Sequence, residues 1–409
     1  MASRNEISRR SLQLPNCVVI NNSSKCKAPF RLVSLVPGLL LNFISALSSL
    51  LPDLMMSNPW SALHKSMPYG YVLRIIHVYK KRQNKLRGVA CEKPLARNVG
   101  EAEQITHLMI KEDITTGYLE NQLFSPVLIK GRDLLWKRAV PSSGRPYLVR
   151  AAEEHSGPHK PWFWKGQLQG GGVLSDMMCH SLEAARFLLQ DPKKEKDSLE
   201  AVSVQATIAS LKWSQDSYSR ELKESTNNEV RRETRDGSHS NEVDYSISPS
   251  EDYAHVTITY KDSDGRTLIG ELTTSWSYVG SGLRLSFELL GPEYSMRADT
   301  LETPLHIFMS RRIRGDCGED LIEKQNAEQG LMPVVVDEEI AYGYTGENRH
   351  MVECFRSGKT PSLTFEDGLR VVKMMMVCYY AAEKGTSVDP RSLPHDFSPL
   401  VAQGRWTPP

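Results

Sequence analysis

The stretch GGGVLSDMMCHSLEAARFLL, residues 170–189, places an acid and a histidine four residues apart, shortly after three glycines. Positions i and i+4 lie on the same face of an α-helix, so Asp176 and His180 share a face that Glu183 extends. Apolar residues cover the other sides: Val173, Leu174, Met177, Met178, Leu182, Ala185 and Leu188. The spacing predicts a helix over about 173–190, and this helix fixes how the rest of the chain is interpreted.

The residues leave three interpretations of this pair open. Asp176 and His180 are a solvated polar stripe, an acid–base site, or two ligands of a metal ion. A carboxylate beside a histidine raises its basicity and fixes its tautomer, as a general base near neutral pH requires. A metal is disfavoured because no further histidine or cysteine stands nearby at a ligand spacing. The glycines allow close backbone approach to another group, or only a flexible turn.

A second candidate site is CEKPLA, residues 91–96, which follows the predicted strand RGVAC. A lysine at the end of a parallel strand lies at the edge where open α/β sheets bind ligands. The Lys93 ammonium could there stabilise negative charge on a hydroxyl or carbonyl oxygen. A lysine before proline is otherwise an ordinary surface turn.

A third candidate is EEHSGPHKPWFW, residues 153–164, which places His155 and His159 beside Trp162 and Trp164. Aromatic faces pack on the apolar faces of sugar rings, and imidazoles form hydrogen bonds with hydroxyls, so the segment could line a sugar-sized pocket. A buried aromatic cluster explains the same residues.

The remaining patterns indicate an α/β architecture. Helix and strand candidates alternate over 71–136, which favours a parallel α/β layer. The later strand candidates, between residues 201 and 299, have no helix among them after 250 and predict an antiparallel sheet. The polar segment 213–250 is interpreted as a mobile surface insertion. A strong helical pattern over 365–385 ends at Gly385.

Length and composition exclude several classes of protein. A chain of 409 residues is too long for one ordinary core, so two domains are expected. The net charge of +1 gives no general reason to bind nucleic acid. Seven scattered cysteines without a CxxC spacing fit free thiols in a reducing compartment, with neither a disulfide framework nor a structural zinc site.

The first 85 residues have a different character. The run at 32–52 carries no charge and is long enough to cross a bilayer, which takes about 20 residues. Pro37, Gly38 and several serines weaken it. A membrane anchor, a targeting segment and an ordinary soluble segment stay open, although a membrane is the less favoured partner and a cytoplasmic location is expected.

Taken together and in this order, the motifs resemble the glucose–fructose oxidoreductase / inositol dehydrogenase / rhizopine catabolism (Gfo/Idh/MocA) family. The matching segments are Glu92-Lys93-Pro94, SGPHKPWFW at 156–164, GGGVLSDMMCHSLE at 170–183, and ENRHMVECFRSGKTPSLTFEDGLRVVKMM at 347–375. The resemblance extends from about residue 86 to about residue 390. Its motifs are specific in combination.

The resemblance implies a fold of the α/β plus α+β class: an incomplete or atypical Rossmann nucleotide-binding domain, then an α/β domain with a large open, mostly antiparallel sheet. The expected boundaries are 1–85 for the poorly matching N-terminal region, 86–135 for the rest of the Rossmann-like domain, 136–362 for the substrate and oligomerisation domain, and 363–409 for the C-terminal helix and tail. A homo-oligomer is expected.

The resemblance also implies an activity, namely hydride transfer between NAD or NADP and a hydroxyl of a sugar, cyclitol or related polyol. Lys93 would contact the substrate hydroxyl and the nicotinamide ribose, together with Glu92 and Pro94 as cofactor contacts. His180 would take the hydroxyl proton, and Asp176 would orient substrate and histidine. The expected substrate contacts are His155, His159, Trp162, Trp164 and Asn121. No metal is expected.

The N-terminal region departs from the family pattern. A G-x-G-x-x-G turn should receive the pyrophosphate at a helix N-terminus, yet residues 1–85 contain only Gly38 and Gly70. No acidic residue stands where the adenosine ribose would be held. Either this region reflects a faulty or rearranged coding sequence, or the protein is a non-catalytic homologue that serves as a binding or oligomer-forming protein.

Overall fold

The computed structural model describes most of the chain after residue 85. The described ranges are 86–158, 161–233, 243–280, 282–301 and 338–408, together with four short strands at 17–21, 32–33, 306–309 and 330–333. The helix predicted from residue 71 lies almost wholly outside them. The apolar run at 32–52 also lies outside them, apart from its first two residues.

The first sheet has four strands in the order β2–β1–β3–β4. These are β1 (Cys17–Asn21), β2 (Leu32–Val33), β3 (Leu86–Glu92) and β4 (Thr115–Leu119). Strands β3 and β4 are parallel and are connected by helix α1 (Val99–Lys111), which makes a βαβ unit of the Rossmann type. Strand β1 runs antiparallel to β3. Because β3 and β4 are parallel, the residues that follow them lie at the same sheet edge.

The second sheet has six strands in the order β10–β9–β5–β8–β7–β6. Their bounds are β5 (Leu148–Glu154), β6 (Leu199–Ala209), β7 (Tyr253–Asp262), β8 (Thr267–Ser275), β9 (Arg284–Gly291) and β10 (Tyr294–Asp299). All neighbours are antiparallel except β5 and β8. The mostly antiparallel sheet is therefore as predicted. A separate pair, β11 (His306–Met309) and β12 (Gly330–Pro333), is antiparallel.

Helices pack between and around these sheets. Their bounds are α2 (Pro126–Leu134), α3 (Val140–Ser143), α4 (Gly166–Gln169), α5 (Val173–Leu189), α6 (Asp216–Glu233), α7 (Glu338–Ala341), α8 (Tyr344–Ser357) and α9 (Phe365–Lys384). Helix α5 packs on β5 and β8 and contacts α9. Helix α9 begins at a capping box of Thr364 and Asp367 and ends at Gly385, as its sequence predicts.

Within the segment 213–250, which the sequence predicts as a mobile surface insertion, Asp216–Glu233 form the 18-residue helix α6, and residues 234–242 lie outside the described residues. The helix has a strongly polar composition, so hydrophobic periodicity in the sequence does not predict it. Its Leu222 is nevertheless buried, and Val243 and Tyr245 behind it join the main core. Those three side chains attach the segment to the body of the protein.

Four of the seven cysteines have side chains among the described residues. Cys91, Cys179, Cys354 and Cys378 are buried and form no disulfide. Within the part of the chain that the structure describes, no helix is both long enough and apolar enough to cross a membrane.

Candidate active site

The three glycines pack the start of α5 against the protein's own interior. Gly172 N and Leu174 N donate to Glu251 Oε1 at 2.9 and 3.2 Å. Tyr379 also donates its hydroxyl proton to this oxygen, at 2.5 Å. Burial raises the pKa of Glu251 to about 7, against the opposing effect of these hydrogen bonds. A Cβ on Gly172 would lie 2.3 Å from the Glu251 carbonyl oxygen, so glycine is required there.

Gly172→Ala is therefore expected to destabilise the protein by about 1–3 kcal/mol, the range for overpacking a close-packed interior. The measurement is chemical denaturation of the purified chain. Gly100→Ala is the matched control, since its Cβ would meet only the Asn98 side chain at an ordinary 3.5 Å within α1. The control should leave stability unchanged or raise it, because alanine favours a helix. Equal losses in both variants would contradict the packing explanation.

The polar face of α5 is buried. Asp176, His180 and Glu183 are each 4% exposed, so the interpretation as a solvated stripe is wrong. The apolar periodicity of the sequence does not predict the burial of this polar face, because the burial results from tertiary contacts with the ends of strands from both sheets. Glu183 forms an ion pair with Arg186 at 2.7 Å. The other two residues contact side chains that follow β3 and β4 in the first sheet and one near the end of β5 in the second sheet.

Lys93 lies at that edge, directly after β3, and contacts Asp176. Its Nζ donates to the Asp176 carbonyl oxygen at 2.9 Å and lies 3.3 Å from Asp176 Oδ1. Burial alone would lower the pKa of Lys93, but the neighbouring carboxyl groups, Asp176 first, outweigh this effect, and the pKa is raised. The raised pKa favours an ammonium at neutral pH beside the buried Asp176 side chain.

His180 contacts two further carboxyl groups. Its Nδ1 is hydrogen-bonded to Glu120 Oε1, and its Nε2 lies 3.7 Å from Glu153 Oε2. Glu120 follows β4 at the same edge as Lys93, and Glu153 lies near the end of β5. Gln122 Nε2 donates to Glu153 Oε2 at 2.8 Å, which fixes that carboxylate.

The structure adds two contacts to the roles that the resemblance implies. Glu120 is hydrogen-bonded to His180 Nδ1, and Asp176 Oδ1 lies beside Lys93 Nζ. The role of Asp176 in orienting substrate and His180 stays a prediction. The sequence interpretation did not identify Glu120, Gln122 or Glu153. Glu120 could have been identified from the sequence, because it follows a parallel strand, as Lys93 does, and lies at the same sheet edge.

Glu120 and Lys93 belong to one electrostatic cluster. Burial raises the pKa of Glu120 to about 8, Lys93 acts in the opposite direction, and Glu183 adds to the rise. Glu153 in turn helps to raise the pKa of Lys93. Lys93, which follows β3, and the Asp176–His180 face of α5 were predicted from two separate segments and lie in one largely buried site.

The same site includes atoms that could bind a metal ion. Glu120, Cys179 and His180 each offer one ligand atom, and these atoms lie within 4.8 Å of one another. Burial raises the pKa of the Cys179 thiol, which disfavours the thiolate that a metal requires. The Lys93 ammonium beside it repels a cation. We assign no metal ion to these residues.

The aromatic candidate segment forms the buried cluster that its sequence left open. Trp164 is 3% exposed and its ring contacts Trp213, Tyr245 and Trp276. Trp162 is half-buried and stacks on the neighbouring Phe163. A role of the two predicted tryptophans in substrate binding stays a prediction.

The other predicted contacts have structural partners. His155 is buried, and its Nδ1 accepts from Gly157 N at 3.0 Å. Asn121 Nδ2 donates to the Tyr342 carbonyl at 2.8 Å. His159 lies outside the described residues. Glu92 is half-buried at the end of β3, and Pro94 is buried beside Lys93. The three predicted cofactor contacts therefore lie at the same edge of the first sheet.

A parallel βαβ unit, a six-stranded mixed sheet and a largely buried lysine–aspartate–histidine cluster define an α/β protein with a Rossmann-type unit and a candidate acid–base site. The family model "Oxidoreductase family, C-terminal alpha/beta domain" of the Gfo/Idh/MocA proteins matches residues 144–389, more than half of the chain. The chain belongs to the Gfo/Idh/MocA oxidoreductase family.

Solved structures share this fold. GenD2 from gentamicin A biosynthesis, in complex with NAD, is similar with a TM-score of 0.54 and 22% identity over 73% of this chain and 70% of that one. A "probable dehydrogenase" from Thermotoga maritima has a TM-score of 0.51 and 18% identity over 75% and 73%. No curated protein sequence matches the chain significantly.

Proposed function

We propose that the protein transfers hydride between NAD or NADP and a CH–OH group of a sugar, cyclitol or related polyol. The observation that carries the proposal is that half-buried Lys93 contacts Asp176, which lies one helical turn from buried His180 on α5. These are the three side chains for which the family resemblance implies the chemistry. The solved complex of GenD2 with NAD, a protein of the same fold, supports the cofactor class.

The cluster offers each group that alcohol oxidation requires from the protein. His180 takes the hydroxyl proton, and the Lys93 ammonium holds the oxygen as negative charge develops on it. Asp176 keeps the ammonium in place through its carbonyl and carboxylate oxygens. A bound nicotinamide supplies the acceptor for the hydride.

The described residues fit the nicotinamide end of such a cofactor. Glu92, Lys93 and Pro94 lie at the carboxyl end of a parallel strand, where open α/β sheets bind ligands. The pyrophosphate end depends on residues 1–85, whose two glycines, Gly38 and Gly70, do not form the fingerprint. Cofactor binding is therefore the first property to measure.

The test is a titration of the purified full-length chain with NAD and with NADP, followed by a screen of sugars, inositols and diols. We expect binding of one cofactor below about 1 mM, the upper end of usual KM values, and reduction of it with at least one polyol. Nicotinamide absorbance reports the reaction. Absence of binding to both cofactors at that concentration would instead favour a non-catalytic binding or oligomer-forming protein.

The expected homo-oligomer and the cytoplasmic location stay predictions.

A further inference from the structure

The imidazole of His180 lies between two carboxyl groups that come from different sheets. On one side Nδ1 is hydrogen-bonded to Glu120 Oε1, and on the other Nε2 lies 3.7 Å from Glu153 Oε2. The second distance is longer than a hydrogen bond. The two ring nitrogens therefore differ in their carboxyl neighbours: Glu120 is hydrogen-bonded to Nδ1, whereas Glu153 lies at ion-pair distance from Nε2.

This arrangement sets the chemistry of the ring. When Nδ1 donates its proton to the Glu120 carboxylate, the lone pair of a neutral imidazole is on Nε2. That nitrogen can then accept a proton from a substrate hydroxyl. The positive charge that would form on the ring is offset by the carboxylate on the other nitrogen.

We propose that Glu120 is the positioning residue of His180 and the final acceptor of the substrate's proton. The inference rests on the proposed function. The hydroxyl O–H bond breaks as an Nε2–H bond forms, and the Nδ1–H bond breaks as a bond to Glu120 Oε1 forms. The electron pair of the substrate C–H bond leaves with the hydride to the nicotinamide, and the His180–Glu120 pair gains one proton.

The surroundings of Glu120 make it a competent proton acceptor. Its side chain is fully buried, and burial raises its pKa to about 8, so the protonated carboxyl group is stable at neutral pH. Lys93 is the charge that opposes protonation. The other titratable groups that act on Glu120, or on which it acts, are Tyr118, Cys179, Glu183 and Glu347.

The pH dependence of oxidation follows from this assignment. The pair accepts a proton only when Glu120 is a carboxylate, so kcat for alcohol oxidation should rise with pH through about 8 and then level off. The apparent pKa belongs to the pair, because the two groups share one proton.

The test compares pH–rate profiles of wild type and Glu120→Gln. Glutamine keeps an oxygen that accepts from Nδ1 but cannot take the proton. We expect the rise in kcat to move from about pH 8 toward about 6.5, where an isolated imidazole titrates. The plateau should fall by about 10–100-fold, by analogy with the loss of partners that orient metal-bound histidines. A profile that keeps its wild-type midpoint would overturn the proposal.

Glu383→Gln is the matched control. Glu383 on α9 also has a pKa raised by burial, but its carboxylate accepts from Leu400 N at 2.7 Å. This variant should keep the wild-type profile. Because a purely structural loss lowers kcat without moving the midpoint, the midpoint separates a proton-accepting role from a general packing role.

A measurement on the unmodified protein covers the case in which Glu120→Gln does not fold. NMR of isotope-labelled histidine, with His180 assigned by its absence in His180→Asn, reports which ring nitrogen carries the proton. We expect a strongly hydrogen-bonded Nδ1 in the full-length chain. An Nδ1 signal without hydrogen bonding would contradict the proposal.

Failure of the inference is distinguishable from failure of the proposed function. If His180→Ala abolishes turnover while Glu120→Gln keeps the wild-type midpoint, only the role of Glu120 is wrong. If neither cofactor binds the wild-type chain, the proposed function itself is wrong.

Discussion

Replacement of His180 by alanine is expected to lower kcat for polyol oxidation by about 10²–10⁴-fold, the usual contribution of a general base. The imidazole is 4% exposed and bonded to Glu120, so water cannot readily take its place in the same geometry. Cofactor affinity should change little, since His180 acts on the hydroxyl proton. Steady-state turnover and an independent cofactor titration measure the two effects.

His255→Ala is the control for this variant. His255 is half-buried on β7 and its Nδ1 pairs with Thr273 Oγ1 at 3.3 Å, so its loss removes an imidazole of the second sheet. Turnover in the control should equal that of wild type. Unchanged turnover in His180→Ala would remove the base from the mechanism, whatever the cofactor affinity.

Replacement of Lys93 by alanine is expected to affect cofactor binding, turnover and stability together. The ammonium is the cation beside Asp176, and removal of one partner of a buried pair costs about 3–5 kcal/mol. Turnover should fall because no cation remains to hold the reacting oxygen. Denaturation, cofactor titration and kcat report the three consequences.

A double variant separates stability from chemistry. Lys93→Met with Asp176→Asn removes both charges of this pair, so Asp176 is not left as a buried carboxylate without Lys93, and part of the lost stability should return. Turnover should stay low, because neither replacement supplies a cation. Recovery of turnover in the double variant would show that Lys93 acts only by neutralising Asp176.

Much of the local structure could be predicted from sequence. Helix α9 was predicted to its end at Gly385, because a long apolar periodicity and a glycine stop agree. Helix α5 was predicted within one residue for the same reason. The strands β7 to β9 alternate buried and half-buried residues, which is the pattern of a sheet with one covered face.

Other elements have sequence patterns that are too weak to predict them. Strand β5 was not predicted: it buries only Val149, Ala151 and Glu153, one of them charged, although it lies in the middle of its sheet. Helix α6 is polar over most of its length, and among its described side chains, residues 216–226, Leu222 and Thr226 are buried. In both cases tertiary contacts, and not local periodicity, stabilise the element.

The sequence by itself determined three candidate side chains for the proposed chemistry, although it did not identify Glu120: Lys93 after a strand, and Asp176 and His180 on one face of a helix. Only the tertiary structure decided which of them touch. Glu120 and His180 are 60 residues apart, and Lys93 and Asp176 are 83 apart. Whether such atoms meet depends on the register of β3 with β4 and on the packing of α5 beside them. Hydrogen bonds act over about 3 Å, whereas sequence spacing constrains positions only within one helix or strand.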